Sequence, residues 1–270
     1  LKAGVIVLSW NSREFIGDCL DGLRRWEPGR HAYVIDNGST DGSPEYIQRA
    51  YPDVTLACLP TNLGFASANN LGIQRALADG CGVVVLLNND TVIDEEFIQP
   101  CVEILEKESS IGIIGPVIVE GDRPEVVQCR GGRISLWTLD FTYLGQGEAF
   151  NRQPRWEPVG YVLGAAMLIR REVIERTGGL DPEYYPAYVE EADLCFRARR
   201  MGYGIAVYHG TRVRHLGAKS SGSRETSFRR LSANRFRFGL KHLGAIRFAV
   251  ASQCIILRVI VHKLREGPLL

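Results

Sequence analysis

The sequence predicts an α/β fold, a mostly parallel sheet with helices on both faces, followed by a helical extension at the carboxyl end. Three observations predict it. Over roughly the first two hundred residues, short β-rich runs alternate with helically spaced apolar positions, as in a parallel sheet with crossover helices. Val83-Val-Val-Leu-Leu87 is an apolar run of strand length, which fits a central strand buried on both faces. From Arg224 onward the pattern is helical to the end.

The elements follow in order. Gly4-Val-Ile-Val-Leu-Ser9 reads as the first strand. Phe15, Ile16, Cys19, Leu20, Leu23 and Trp26 then keep helical spacing, with Ser12 as N-cap. Ala32 to Ile35 is the next strand and ends at Asp36, and Ser43-Pro44 opens a helix with Pro at its first position. Val54 to Leu59 is a strand, Ala66 to Ala78 a helix, and Asp94-Glu-Glu-Phe97 starts another helix. Beyond Pro116 the pattern loosens. Val126 to Ile134 and Tyr161 to Arg170 read as strands, Glu190 to Met201 as a helix, and Ile205 to Tyr208 as a short strand. The expected division is a sheet domain over 1–223 and a basic helical extension over 224–270.

Composition narrows the class. With 45% hydrophobic and 23% charged residues in 270, the chain can bury a substantial core, and disorder is excluded. The seven cysteines are odd in number and hold no C-x-x-C pair, which argues against a disulfide framework or a thiolate zinc site and for a reducing compartment. The apolar run at the start, Val5 to Leu8, reads as a strand and not as a signal peptide. Charge is uneven. From Arg224 to Arg265 there are ten Lys and Arg against the single acid Glu225, so an acidic body carries a basic tail suited to an anionic surface. Within that tail, Arg247 and Arg258 interrupt the Ala245–Val261 stretch and leave only about ten apolar positions, where a membrane span needs roughly 20. An amphipathic helix, packed on the domain or lying on a membrane surface, is the expectation.

Four polar clusters end predicted strands or open predicted helices, the edge at which open α/β sheets bind ligands. Asp36-Asn-Gly-Ser-Thr-Asp-Gly-Ser43 is either a strand-to-helix turn or a nucleotide-base contact through Asp36, with Asp41 nearby. In Thr61-Asn-Leu-Gly-Phe-Ala-Ser-Ala-Asn-Asn70, Gly64 permits close backbone approach and the following helix N-terminus suits a diphosphate; the plain alternative is a helix cap. Asn88-Asn89-Asp90 offers a carboxylate at a rigid strand end, the donor type a hard divalent cation takes together with substrate phosphates. In Glu190-Glu-Ala-Asp-Leu-Cys-Phe-Arg197, helical spacing puts Glu191 on the arc of Leu194, Cys195, Ala198 and Met201, while Asp193 and Arg197 form an i,i+4 pair on the other side. An inward carboxyl group needs a partner or a task, and burial raises its pKa. His215 follows the last short strand.

In combination these residues resemble the inverting family 2 glycosyltransferases of GT-A fold, and within them the bacterial rhamnosyltransferase-like branch. The matching pieces are Val7-Leu-Ser-Trp-Asn11, Val34-Ile-Asp-Asn-Gly-Ser-Thr-Asp41, Asn62-Leu-Gly-Phe-Ala66, Leu87-Asn-Asn-Asp90, Gly164-Ala-Ala-Met167, Glu190-Glu-Ala-Asp-Leu-Cys195 and His215, with Asn234-Arg235 in the basic helix. The resemblance implies that Asp36 binds a pyrimidine base, with Asp41 near the nucleoside. Ser9, Asn11, Asn62, Gly64, Asn69 and Asn89 complete the implied donor-binding set. Asp90 would hold Mg²⁺ or Mn²⁺ against the diphosphate, His215 would stand near that metal, and Glu191 would be the general base. Asn88 replaces the first acid of the family's D-x-D, and Glu stands where the family's base is Asp, so the assignment between Glu190 and Glu191 stays open. The implied donor is dTDP-rhamnose, with UDP-sugars next, and the acceptor a glycan on a polyprenyl diphosphate in cell-surface polysaccharide synthesis. A cytoplasmic protein, peripheral on the inner face of the plasma membrane and without nucleic-acid partners, is expected. The rivals are a nucleotidyltransferase, which needs a basic Gly-rich loop after the first strand that this chain lacks, and a non-catalytic nucleotide-sugar-binding protein. A dehydrogenase lacks support, because no G-x-G-x-x-G follows a strand.

Overall fold

A computed structural model describes residues 1–217 and 224–266. The first half alternates as expected: β1 (Ala3–Ser9), α1 (Ile16–Trp26), β2 (His31–Asp36), α2 (Ser43–Ala50), β3 (Thr55–Cys58), α3 (Gly64–Ala78), β4 (Val83–Asn88), β5 (Thr91–Val92) and α4 (Ile98–Lys107). Next come β6 (Ile111–Glu120), β7 (Val127–Cys129), β8 (Gly132–Ser135), β9 (Asp140–Tyr143), β10 (Trp156–Pro158), β11 (Ala166–Arg170) and α5 (Arg171–Thr177). The chain then forms α6 (Glu190–Arg200), β12 (Gly204–His215) and two closing helices, α7 (Arg224–His242) and α8 (Ala245–Glu266).

The main sheet runs β10-β12-β6-β11-β4-β1-β2-β3, with β5 added on β12 and β7 on β6. Strands β3, β2, β1 and β4 are mutually parallel, as are β6 and β12, and β11 lies antiparallel between the two groups. Alternation along the strands divides the interior. Val5, Val7, Val83, Val85 and Leu87 pack with Ile16, Leu20, Ile98 and Leu105 of α1 and α4 on one face. On the other face Ile6, Val84 and Leu86 pack with Ala68 and Ile73 of α3 and with Leu194 and Ala198 of α6. Strand β4 is thus buried on both sides, as its unbroken apolar run requires.

Several expectations are corrected. Ser12 does not cap α1 through its side chain: its hydroxyl meets Ser9 Oγ at 2.8 Å, and only its carbonyl accepts, from the amides of Phe15 and Ile16. The helix expected at 94–97 begins at Ile98, because Glu27 from the end of α1 accepts both the Phe97 and Ile98 amides at 2.7 and 2.8 Å. Glu95 is engaged elsewhere, by Thr211 Oγ1 and the Arg212 amide, both at 2.9 Å. Those two residues adjoin a register shift in β12 between Tyr208 and Arg212, which divides one long strand so that only its first part reads as a strand in sequence. Residues 161–165 are not strand; β11 starts at Ala166. The expected boundary at 223 borders 218–223, which lie outside the described residues.

Helices α7 and α8 pack on the sheet domain through a third apolar cluster, in which Phe238, Ala251 and Ile255 meet Leu139, Tyr184 and Val189. A polar node fixes the same interface. Asp193, 0% exposed, accepts from Tyr184 Oη (3.1 Å), Arg197 Nε (2.7 Å), Lys241 Nζ (2.9 Å) and His242 Nε2 (2.6 Å). The i,i+4 pair with Arg197 is present, but the face expected to be outward is covered by α7. Burial works against this carboxylate's charge, yet His242, Arg197 and Lys241 outweigh it and hold its pKa well below the usual range. Asp193→Asn leaves the clustered cations unpaired, and urea denaturation at neutral pH should show a loss of about 3–5 kcal/mol. Because the folded pKa is depressed, this contribution is complete above about pH 4 and is lost on acidification. The wild-type advantage over Asp193→Asn should therefore narrow in acid.

Candidate active site

A cavity of about 500 Å³ opens at the carboxyl ends of β1 and β4, lined there by Leu8, Trp10 and Asn88-Asn89-Asp90. Strand order changes direction at this point, since β1 leads to β2 and β3 on one side while β4 lies on the other. The crevice at such a switch is where open α/β sheets bind ligands.

The sheet itself brings Asp90 and His215 together. His215 pairs with Thr91 in the β5–β12 ladder, and the Leu216 amide donates to the Asp90 carbonyl at 2.9 Å. The Asp90 carboxylate consequently sits 3.2 Å from His215 Nε2. On the far side of the ring, Nδ1 donates to Gln128 Oε1 at 2.9 Å, which fixes the imidazole with Nε2 toward Asp90 and Asn88. No cluster of three or more His, Cys, Asp or Glu side chains suited to a metal occurs among the described residues. One carboxylate and one imidazole fit a cation that completes its shell with substrate phosphates and water, as Mg²⁺ and Mn²⁺ do.

The second chemical feature is the acid pair at the start of α6. Glu190 is 3% exposed, and its Oε2 has no hydrogen-bond partner. Burial first, and the neighbouring Glu191 charge second, push its pKa well up and favour the protonated carboxyl. Glu191 is part-exposed through the cavity it lines, and burial raises its pKa to about 7. The pair therefore resists double ionisation, and Glu191, which lines the cavity with a pKa near neutrality, can exchange a proton there.

The backbone that aims these acids is strained. Tyr188 and Val189 have φ of 85° and 80°, a left-handed conformation that costs about 1–3 kcal/mol for each non-glycine residue. Asn234 of α7 holds them there, its Nδ2 directed at the carbonyls of Tyr184 (3.2 Å), Ala187 (3.0 Å) and Tyr188 (2.9 Å). Gly64 meets the same loop from the other side. At φ 81°, a Cβ on it would stand 2.8 Å from the Tyr185 ring, and the next amide, Phe65, donates to Pro186 O at 2.7 Å.

Among the expected donor-binding residues, Asn62, Gly64 and Asn89 line the cavity, as do Asp90, Glu190, Glu191 and His215. The others do not. Asp36, 1% exposed, accepts from the Ser39 amide (2.9 Å), Ser39 Oγ (2.6 Å) and Ser9 Oγ (3.3 Å), so it and Ser9 hold the turn under the cavity wall. Asn11 and Asp41 brace that turn through the amides of Thr40 and Ser43 at 2.9 and 3.0 Å. Asn69 is buried and donates back to Phe65 O within its own helix. At the α3 N-terminus the Gly64 amide donates to Asn62 Oδ1 (2.8 Å) and that of Phe65 to Pro186 O (2.7 Å), contacts of the helix-cap kind.

Sequence reasoning missed Trp10, Asn37, Gln128, Tyr143, Tyr188 and Arg230, all of which line the cavity. Trp10 and Asn37 stood inside quoted motifs and carried a findable signal. Gln128 and Tyr143 come from a stretch without periodicity, and Arg230 was counted only as charge.

Residues 4–178 match the model of glycosyl transferase family 2. The chain is 27% identical over 215 residues to the N-acetylglucosaminyl-diphospho-decaprenol L-rhamnosyltransferase of Mycobacterium tuberculosis, covering 70% of this chain and 67% of that protein. It is 26% identical over 156 residues to the dTDP-rhamnosyl transferase RfbF of Shigella flexneri, covering 57% of this chain and 49% of RfbF. Among solved structures, the mannosyltransferase PcManGT of Pyrobaculum calidifontis, in complex with GDP-Man and Mn²⁺, superposes with a TM-score of 0.63 at 17% identity. That match covers 99% of this chain and 76% of the other. GalNAc-T7 with UDP, GalNAc and Mn²⁺ gives 0.66 at 16% identity, over 88% of this chain and 47% of its own. With the GT-A architecture shared and the family model spanning most of the sheet domain, the chain belongs to glycosyl transferase family 2.

Proposed function

We propose that this glycosyltransferase moves a sugar, rhamnose from dTDP-rhamnose before a UDP-sugar, onto a hydroxyl of a glycan carried on a polyprenyl diphosphate, with inversion. The observation that carries this reading is the convergence of Asp90, His215 and Glu191 on one cavity at the strand-order switch. The rhamnosyl donor and the diphospholipid acceptor are favoured by the names of the two rhamnosyltransferase relatives.

In this reading the nucleotide lies against Trp10 and the turn that Asp36, Asp41, Ser9 and Asn11 hold, with Asn62 and Asn89 facing it. Asp90 and His215 would hold the divalent cation, Mg²⁺ or Mn²⁺, which when bound would supply charge neutralisation at the diphosphate. Glu191 accepts the acceptor hydroxyl's proton while that oxygen bonds to the anomeric carbon. The bond from that carbon to the diphosphate oxygen breaks in the same step, and its electron pair leaves with the nucleotide. Burial and the Glu191 charge favour the protonated form of Glu190, which limits the repulsion that a second anion would add beside the leaving group.

The same reading places the protein on an anionic membrane face, on the cytoplasmic side. Among the described residues, α8 is the one helix long and apolar enough to cross a membrane by length and composition. Ile246 (82% exposed), Val250, Leu257 and Val261 leave an apolar stripe uncovered, and Trp137 stands exposed beside Arg247, its ring centroid 5.2 Å from the guanidinium. An apolar face flanked by basic and aromatic side chains suits a helix lying at the lipid interface.

Incubation with labelled dTDP- and UDP-sugars plus Mn²⁺ should show donor consumption, and its absence with every donor would count against the reading. Glu191→Gln should lower kcat by about 10²–10⁴-fold, whereas Glu190→Gln, which copies a protonated carboxyl, should stay within a few-fold of wild type. Because Glu191 acts deprotonated, kcat/KM should fall as pH drops through about 7, and that limb should vanish in Glu191→Gln. Phosphatidylglycerol vesicles should co-sediment the wild type but release the Ile246→Asp/Leu257→Asp double variant. Equal sedimentation of the two would remove α8 from the membrane contact.

A further inference from the structure

Helix α7 presents to the cavity a cation that the donor chemistry does not use. Ser227, Arg230 and Asn234 recur at three- and four-residue spacing and so share one face of the helix. The residues on either side of the arginine are tied to the loop that carries the base. Ser227 Oγ meets Tyr188 Oη at 3.1 Å, and Asn234 Nδ2 donates to the Ala187 and Tyr188 carbonyls. Between them, half-buried Arg230 lines the cavity and is the one Lys or Arg among the described residues to do so. Its neighbour Arg229 pairs with Glu225, but no ion pair or hydrogen bond engages Arg230 among the described residues.

The other ionised side chains on the cavity wall are acidic, so an unpaired guanidinium held there by its helix is placed for an anion that a ligand brings. Two ligand anions are in play, the donor's diphosphate and a phosphate on the acceptor. The first belongs with Asp90 and His215 at the end of β4. Arg230 stands instead on the wall of Tyr188, two residues from Glu190, and Tyr143 lines that cavity too. A nucleophile must approach the base, so this is the acceptor's end. We propose that Arg230 is an acceptor-binding residue that takes the phosphate of a sugar diphosphate, with Tyr143 and Tyr188 flanking the sugar. This assignment rests on the glycosyl-transfer reading above.

Calorimetry with farnesyl-diphospho-N-acetylglucosamine, against farnesyl N-acetylglucosaminide as the phosphate-free control, tests it on the full chain with dTDP or UDP and Mn²⁺ saturating the donor end. The wild type should prefer the diphosphate ligand by about tenfold or more, the scale of one charge-assisted hydrogen bond. Arg230→Gln should erase that preference, Arg230→Lys should retain part of it, and donor hydrolysis with its donor KM should be unchanged in both. No preference in the wild type, an undiminished preference in Arg230→Gln, or a raised donor KM in that variant would overturn the assignment. The last result would move Arg230 to the donor's diphosphate. Failure of the wild type to consume any donor would instead bring down the parent reading, and this one with it.

Discussion

The site depends on one buried carboxylate. Asp193 has no exposure to water, and its charge is sustained only because Tyr184, Arg197, Lys241 and His242 surround it. Two of these donors come from α7, so the residue that closes the base helix on its outer side also docks the last two helices. Arg197 extends the node by donating to the carbonyls of Thr177 and Gly179 at 2.7 Å, which ties α6 to the end of α5. Packing in the third apolar cluster adds area to this interface, but area is non-directional. The ionic node sets the position of α7 along the groove.

That position matters because α7 supplies Asn234. Two consecutive residues in the left-handed region, one of them β-branched, do not persist without restraint. The Asn234 amide, directed at three carbonyls, restrains them from α7, with the Phe65 amide on Pro186 and Ser227 on Tyr188 adding to it, and the result is the aim of Glu190 and Glu191 into the cavity. A chain of dependence therefore runs from Asp193 through α7 and Asn234 to Glu190 and Glu191. Each link is polar, directional and largely buried, and the loop it restrains has no regular hydrogen bonding of its own to replace it.

Much of the fold was legible in the sequence because the first ninety or so residues obey simple periodicities. The run at 83–87 marked the central strand, and Ser43-Pro44 marked a helix start. What stayed illegible was set by distant partners. Glu27 moved the start of α4, Glu95 served the irregular part of β12, and neither effect has a local signature. In the site, Asp90, Glu191 and His215 were named from motif order, and all three line the cavity. Asp36 and Asn69 were drawn from the same motifs, but their side chains stabilise backbone beside the cavity and do not face it. A motif records that a residue type is needed, and it does not separate a group that touches ligand from one that shapes the turn. Glu191 pointed inward as its helical phase required, whereas Asp193, by phase an outward residue, is buried by a helix thirty to fifty positions later.

The region matched by the family model ends at residue 178, short of Glu191, His215 and Arg230. The cavity wall formed by Trp10, Asn62 and Asn88-Asn89-Asp90 thus belongs to the shared portion of the fold, while Glu190, Glu191, His215 and Arg230 come from later segments joined to it by strand pairing and side-chain contacts. Such a seam permits unequal rates of change. Substitutions on the helical hairpin can reshape its part of the cavity without disturbing the strand ends opposite, provided the acidic peg in its socket is kept.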